Sequence, residues 1–162
     1  GLSIKELEEI DHIDLAVDGV DEIDKDFNAI KGGGAALFRE KIVADIAREV
    51  IWIYDESKDV EKLGNFNLPV EILPFGYSHT IRKMEEAGLK PVLRLKDGAT
   101  LITDNNNYIV DLHLGYGFDI KAVKEKLESI VGVVEHGLFL NMCKLCIKGT
   151  EQGAVIIENP NN

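Results

Sequence analysis

No apolar run in this sequence approaches the ~20 residues that a membrane-spanning helix requires, and nothing in it resembles a secretory signal peptide, so the expected location is the cytoplasm. Positive charge is scarce as well. Eighteen Lys and Arg stand against 29 Asp and Glu, for a formal net charge of −11. Such a chain repels phosphate polymers and anionic bilayers, which argues against nucleic acid and membrane partners but leaves room for a small anion where cations gather. Cysteine is limited to Cys143 and Cys146, spaced C-x-x-C. A zinc site needs a second ligand pair and none is present. The surrounding "KLCIKG" alternates as a strand does, which sends residues three apart to opposite faces, so the pair reads as two small core residues. What the sequence does have is apolar content, 45% of 162 residues, enough to bury a core in one domain or two small ones.

Periodicity divides the chain. "LSIKELEEI" (2 to 10) has helical spacing with Ser3 as N-cap, and "HIDLAVDG" contains a buried strand at about 12 to 17. "AALFREKIVADIAREV" reads as an amphipathic helix and "VIWIYDES" as a second apolar strand, which makes a β-loop-α-β unit of a parallel sheet. From residue 69 the pattern changes. "PVEILPF" is a strand, "SHTIRKMEEAG" a helix capped by Ser78 and ended by Gly88, and "PVLRLK" turns through Asp97-Gly98 into "ATLITD". "YIVDLHL", a helix in "FDIKAVKEKLESIVG" and a last strand "VVEHGLF" complete an antiparallel sheet with two helices. The terminal pair "KLCIKGT" and "AVIIE" returns to the first sheet. The expected fold class is therefore α/β: an incomplete, Rossmann-like, mostly parallel domain (1 to 68 with 139 to 162) with an inserted ferredoxin-like α+β domain (69 to 138). The first domain is too small to cover both faces of its sheet, and the chain begins with Gly1, so we expect preceding sequence to complete it.

The chemistry concentrates in residues 18 to 41, "DGVDEIDKDFNAIKGGGAALFREK". Asp18 and Asp21 stand where the first strand ends, the side of a parallel sheet where ligands bind; any one aspartate there is equally well explained as a turn residue. Asp24, Asp26 and Asn28 imitate the start of a calcium loop, but Ala29 replaces its glycine and Ala35 its final glutamate, so that reading fails. Gly32, Gly33 and Gly34 precede a helix, and their bare amides, with Lys31 beside them, welcome an anion. The run is neither a Walker loop nor a dinucleotide fingerprint. Glu40 lies in line with Ala36, Val43 and Ala47 on the helix face turned to the sheet; a carboxylate there is partly desolvated, with a raised pKa suited to a general base. A base, a cation, amide donors and further carboxylates together suit removal of a weakly acidic proton beside a carbonyl.

At "VDGVDEID", "IKGGGAALFREKIVA", "YDESK", "LPVEILPF", "LITDNNNYIVDLHL" and "GVVEHGLF", spread over nearly the whole chain, the sequence resembles the ribose-5-phosphate isomerases of type A. The resemblance implies interconversion of ribose 5-phosphate and ribulose 5-phosphate through an enediolate in the pentose phosphate pathway, without metal or cofactor. It implies that Glu40 shuttles the proton between C1 and C2, that Asp18 assists proton movement between the oxygens, that Asp21 helps open the ring, and that Lys31 steadies the negative oxygen. Asp18, Gly19, Val20 and Asp21, with Lys31, Gly32, Gly33, Gly34 and Lys58, would line the substrate site; on sequence alone Lys58 is an ordinary turn lysine. The family's N-terminal segment, which supplies a lysine and a Gly/Ser/Thr-rich loop, has no counterpart here, so this chain alone is expected to turn over weakly or not at all. A homodimer or homotetramer, with contacts from the smaller domain, is implied too. His113 and His136 are read as structural. Two other readings stand beside this one: a phosphosugar sensor of the same fold, against which the set Glu40, Asp18 and Asp21 argues because sensing needs no base, and a CoA transferase with a glutamate nucleophile.

Overall fold

The computed structural model describes residues 3–161. Strands β1 (Ile13–Gly19), β2 (Glu22–Asp24) and β3 (Asn28–Ile30) lead into helix α1 (Leu37–Ile46), which passes directly into β4 (Ala47–Asp55). After β5 (Asp59–Val60) come β6 (Leu68–Ile72), α2 (Tyr77–Glu86), β7 (Pro91–Leu93), the hairpin β8 (Leu95–Lys96) and β9 (Ala99–Thr100), β10 (Tyr108–Leu112) and α3 (Ile120–Ser129). The chain closes with β11 (Val133–His136), β12 (Leu138–Leu140), β13 (Leu145–Thr150) and β14 (Gly153–Glu158).

These strands form a mixed α/β structure. The first sheet has the order β1-β4-β13-β14, with β1, β4 and β13 parallel and β14 antiparallel. Its buried face presents Ala16, Val50, Trp52 and Cys146 to Leu37 of α1 and to Ile23, Ala29 and Phe139. The second sheet, β11-β6-β10-β7, is antiparallel. Val70, Ile72, Val110 and Leu112 pack on Met84 of α2 and on Val123 and Leu127 of α3. Each such side chain contributes about 1.5–3 kcal/mol when fully buried, so the helices owe their place to these apolar stripes.

A third small sheet, β12-β3-β2-β5, was not legible in the pattern. Its strands are short and rich in Asp and Asn, and they are held by specific bonds. Asp24 accepts from the Asp26 and Asn28 amides at 2.9 Å each, which closes the β2–β3 turn. Glu22 is buried and accepts from the amides of Gly64 at 2.7 Å and Asn65 at 3.0 Å. These two carboxylates of the acidic stretch therefore serve the backbone.

Several expectations are corrected. The helix expected over 2 to 10 does not form among the described residues, 3 to 10. Leu2 lies outside the described residues, as do Gly1 and Asn162 at the outer limits of the expected first domain. The rest turns only at Leu7–Glu9, as a 3-10 helix closed by the Glu6 amide on Glu9 Oε2 and not by Ser3. Ile4 is 99% exposed, so this segment has no surface on which to bury a stripe, and a helix that short does not hold by itself. Helix α1 ends at Ile46 and not at Val50, because Ala47 to Ile53 are drawn into the ladder with β1 and bury Val50 and Trp52. Helix α2 is entered through Gly76 at φ +70°, with no cap from Ser78. Strand "ATLITD" pairs regularly only at Ala99–Thr100.

The predicted strand 133 to 139 is split at Gly137 between the second and third sheets. A Cβ at Gly137 would lie 2.2 Å from the Lys31 carbonyl oxygen, so only glycine passes there. The backbone of Lys31 is fixed by that crossing, its amide donating to Gly137 O at 2.9 Å. The cysteines are buried as expected but do not face apart. Cys143 sits in the turn before β13, which brings the two Sγ atoms to 3.7 Å.

Candidate active site

The carboxyl end of β1, the start of the glycine loop and the first turns of α1 meet at one cleft of about 190 Å³. It is lined by Asp18 to Asp21, Lys31 to Gly34 and Glu40. Every predicted site residue except Lys58 lies there. Lys58 occupies the 3-10 turn that links β4 to β5 and is not among the cleft's lining residues.

Lys31 is the hub. Its side chain is only 4% exposed and its Nζ donates to Asp18 Oδ2 at 2.8 Å and to Gly19 O at 2.5 Å. Glu40 Oε2 lies 3.2 Å from the same nitrogen. That contact is an ion pair without hydrogen-bond alignment, so Glu40 Oε2 is buried with no hydrogen-bond donor among the described residues. Burial pushes the Glu40 carboxyl above its ordinary value of 4.5; the Lys31 cation opposes the rise and the Asp18 carboxylate adds to it. A carboxylate with a free lone pair and a raised pKa is poised to accept a proton.

Asp21 takes the other side. Its Oδ2 accepts from the Gly33 amide at 2.7 Å, and a Cβ at residue 33 would stand 2.6 Å from Asp21 Oδ1, so the close approach of carboxylate and backbone requires glycine. Asp18 also accepts from the Gly19 amide at 2.8 Å, which leaves its carboxylate bridging the strand end and Lys31. The third sheet supports this side. The Lys31 nitrogen lies 5.3 Å from the centre of the buried Phe139 ring.

Two participants escaped sequence reading. Arg94, between β7 and β8, donates to Gly32 O at 2.9 Å and to Gly33 O at 3.0 Å, and also pairs with Asp111 on β10. The signal was present, since Arg94 and Asp111 are charges flanked on both sides by apolar residues in "VLRL" and "IVDL". Glu71, fully buried, accepts from Thr103 Oγ1 at 3.0 Å and from the side-chain amides of Asn105 at 3.2 Å and Asn107 at 2.8 Å. The turn it holds reaches α1, where Arg39 Nε donates to Asn105 Oδ1 at 2.9 Å.

The histidines stand apart from the cleft. His136 is buried beside Lys41, whose Nζ lies 3.3 Å from its Nδ1 and donates to Glu135 at 2.7 Å. Burial, and then the Lys41 cation, hold the His136 pKa down to about 4 against an ordinary 6.5. Between those values the unfolded chain binds a proton that the folded chain refuses, so this group makes stability fall as pH drops from 6.5 toward 4. His136→Asn is expected to flatten that part of the Tm-versus-pH curve by a few degrees; an unchanged slope in thermal melts would assign the acid sensitivity elsewhere.

A half-buried carboxyl of raised pKa, a buried lysine between two carboxylates, and amides at a helix entrance are groups able to move a proton, and they meet on an α/β scaffold. Residues 1–153 match the family described as Ribose 5-phosphate isomerase A (phosphoriboisomerase A). A ribose-5-phosphate isomerase A of Bifidobacterium longum subsp. infantis is 52% identical over 162 residues, covering 99% of this chain and 70% of that protein. One from Limosilactobacillus reuteri is 51% identical over 157 residues, covering 97% and 69%. Among solved structures, a D-ribose-5-phosphate isomerase in complex with phospho-erythronic acid superposes with a TM-score of 0.87 at 36% identity, covering 95% of this chain and 69% of that one. The ribose 5-phosphate isomerase A of Methanocaldococcus jannaschii gives 0.84 at 39% identity, with 94% and 68% covered. The chain belongs to the ribose 5-phosphate isomerase A family.

Proposed function

We propose that this protein interconverts ribose 5-phosphate and ribulose 5-phosphate, an aldose–ketose isomerisation of the pentose phosphate pathway, with Glu40 as the base. The carrying observation is the Glu40 carboxylate: half-buried, raised in pKa, without a hydrogen-bond donor on Oε2, and 3.2 Å from the Lys31 cation. In the aldose-to-ketose direction Glu40 takes the proton from C2, the C–H electron pair becomes the C1=C2 bond, and the carbonyl π pair moves to O1. Lys31 and the Gly34 amide hold that oxyanion in our reading, each well-placed donor contributing about 3 kcal/mol. Asp18, bonded to Lys31, moves the proton between O2 and O1, and Glu40 returns its proton to C1. Asp21, anchored by the Gly33 amide, assists ring opening. Turnover in D2O is expected to place solvent deuterium at C1 of ribulose 5-phosphate, read by proton NMR. Isomerisation with no solvent hydrogen gained at C1 under any condition would point to direct hydride transfer and remove Glu40 from its role.

The finer architecture follows the same reading. Strand order β11-β6-β10-β7, with a helix after β6 and another after β10, supports our reading of a ferredoxin-like insertion at about 69 to 138 in a Rossmann-like catalytic domain. We place the enzyme in the cytoplasm, with the pool of charged phosphosugars that bilayers retain; among the described residues no helix is long and apolar enough to cross a membrane. Phe75 and Val131 are 96% and 94% exposed and sit on loops joined by the Leu73 amide bonding to Gly132 O, an apolar patch suited to a second copy in a homodimer or homotetramer. Phe75→Asp is expected to shift the protein toward monomer in sedimentation equilibrium, whereas an unchanged mass would clear this patch of an assembly role.

A further inference from the structure

The geometry points to Arg94 as a positioning residue for this reaction, one that aims and strengthens the glycine-loop amides from outside the cleft. The inference rests on the isomerase reading above. Arg94 does not line the cleft, yet its guanidinium joins the second sheet to the loop on which the oxyanion would lie. On one edge Nε donates to Asp111 Oδ2 at 2.8 Å while Nη2 pairs with Asp111 Oδ1, a side-on clasp that fixes the guanidinium plane. On the other, Nη1 donates to both Gly32 O and Gly33 O. The backbone amide of Arg94 is itself fixed on Ile109 O at 2.8 Å, and the side chain is 14% exposed.

The consequence follows from peptide planarity. In a trans peptide unit the C=O and the N–H point in opposite directions. Holding Gly32 O toward Arg94 turns the Gly33 N–H away from it, where it meets Asp21 Oδ2 at 2.7 Å. Holding Gly33 O the same way turns the Gly34 N–H away as well. One nitrogen thus sets the direction of two consecutive donors at the cleft, in a stretch of three glycines that has no side chains to stiffen it. A charged donor on a carbonyl also polarises its unit and makes the N–H on the other end a better donor. Lysine offers a point charge on a flexible stem and cannot make the clasp and the double bond at once, so the conservative exchange is not conservative here.

Arg94→Lys and Asp111→Asn test this, read by steady-state kinetics with ribose 5-phosphate, thermal melts, and hydrogen exchange of the Gly33 amide. If Arg94 positions the loop, Arg94→Lys lowers kcat by about ten- to a hundred-fold with KM changed little, while Tm moves by only a few degrees and the Gly33 amide exchanges faster. Asp111→Asn, which keeps the guanidinium but loosens its plane, gives a smaller loss of the same kind, and it carries the test if Arg94→Lys does not fold. An unchanged kcat in a folded variant overturns the proposal, as does a rise in KM at constant kcat, which would make Arg94 a plain tether or a binding group. Should the full-length enzyme show no turnover, the isomerase reading falls; Gly33 exchange then decides the clasp by itself, faster in Arg94→Lys if it exists and unchanged if it does not.

Discussion

Glu40→Gln lowers kcat by about a hundred- to ten-thousand-fold, the span that a positioned base supplies, and leaves KM for ribose 5-phosphate nearly unchanged. The amide keeps the shape of the side chain but cannot accept the C2 proton. The acid limb of the pH–rate profile disappears with it. In the unmodified enzyme that limb stands above pH 4.5, because the base works only when ionised and burial raises its folded pKa; activity therefore climbs as pH rises through that value. Stability runs the other way. A carboxyl that holds its proton more tightly when folded than when unfolded weakens the fold as pH climbs past it, so Glu40→Gln melts at the same or a higher temperature at neutral pH. A large drop in Tm alongside the lost activity would show that the side chain is structural, and the base must then be sought elsewhere.

Lys31→Met gives the second large effect, a loss of about a hundred- to a thousand-fold in kcat from removal of the one buried cation at the cleft. It also leaves Asp18 and Glu40 facing one another without their shared counterion. Since Lys31 is what holds the Glu40 pKa down against burial, the acid limb moves to higher pH in the variant. A pH–rate study separates this from simple misfolding, because an unfolded fraction scales the whole curve without displacing it. Loss of rate at an unmoved limb would mean that the lysine acts on substrate alone and not on the base.

How much of this was legible in the sequence depended on distance along the chain. Asp18, Asp21, Lys31 and Glu40 were recognisable because local rules apply to them: carboxylates at a strand's carboxyl end, a cation beside glycines, an acid on a helix's inner face. Arg94 acts across 61 and 62 positions on Gly33 and Gly32, and no periodicity reports such a contact. The backbone roles of Glu22 and Asp24 were not legible, because an aspartate-rich stretch does not reveal which members will turn to backbone amides. Helix α1 was read too long for a related reason, since "AREV" suits a helix until the distant strand β1 competes for it. Lys58 was placed in the site through family likeness alone, and it is not among the residues that line the cleft.

The abrupt change from Ile46 to Ala47 couples chemistry to alignment in a way that a flexible linker would not allow. One residue added or removed at this junction must either roll the helix by about 100° or slip the strand by one position, which turns its inward side chains outward. The first sweeps the Glu40 carboxylate away from the cleft, and the second expels Val50 and Trp52 from the interior. Chain length at that point is thus a quantity the enzyme cannot vary, and an engineered insertion would find no slack to absorb it.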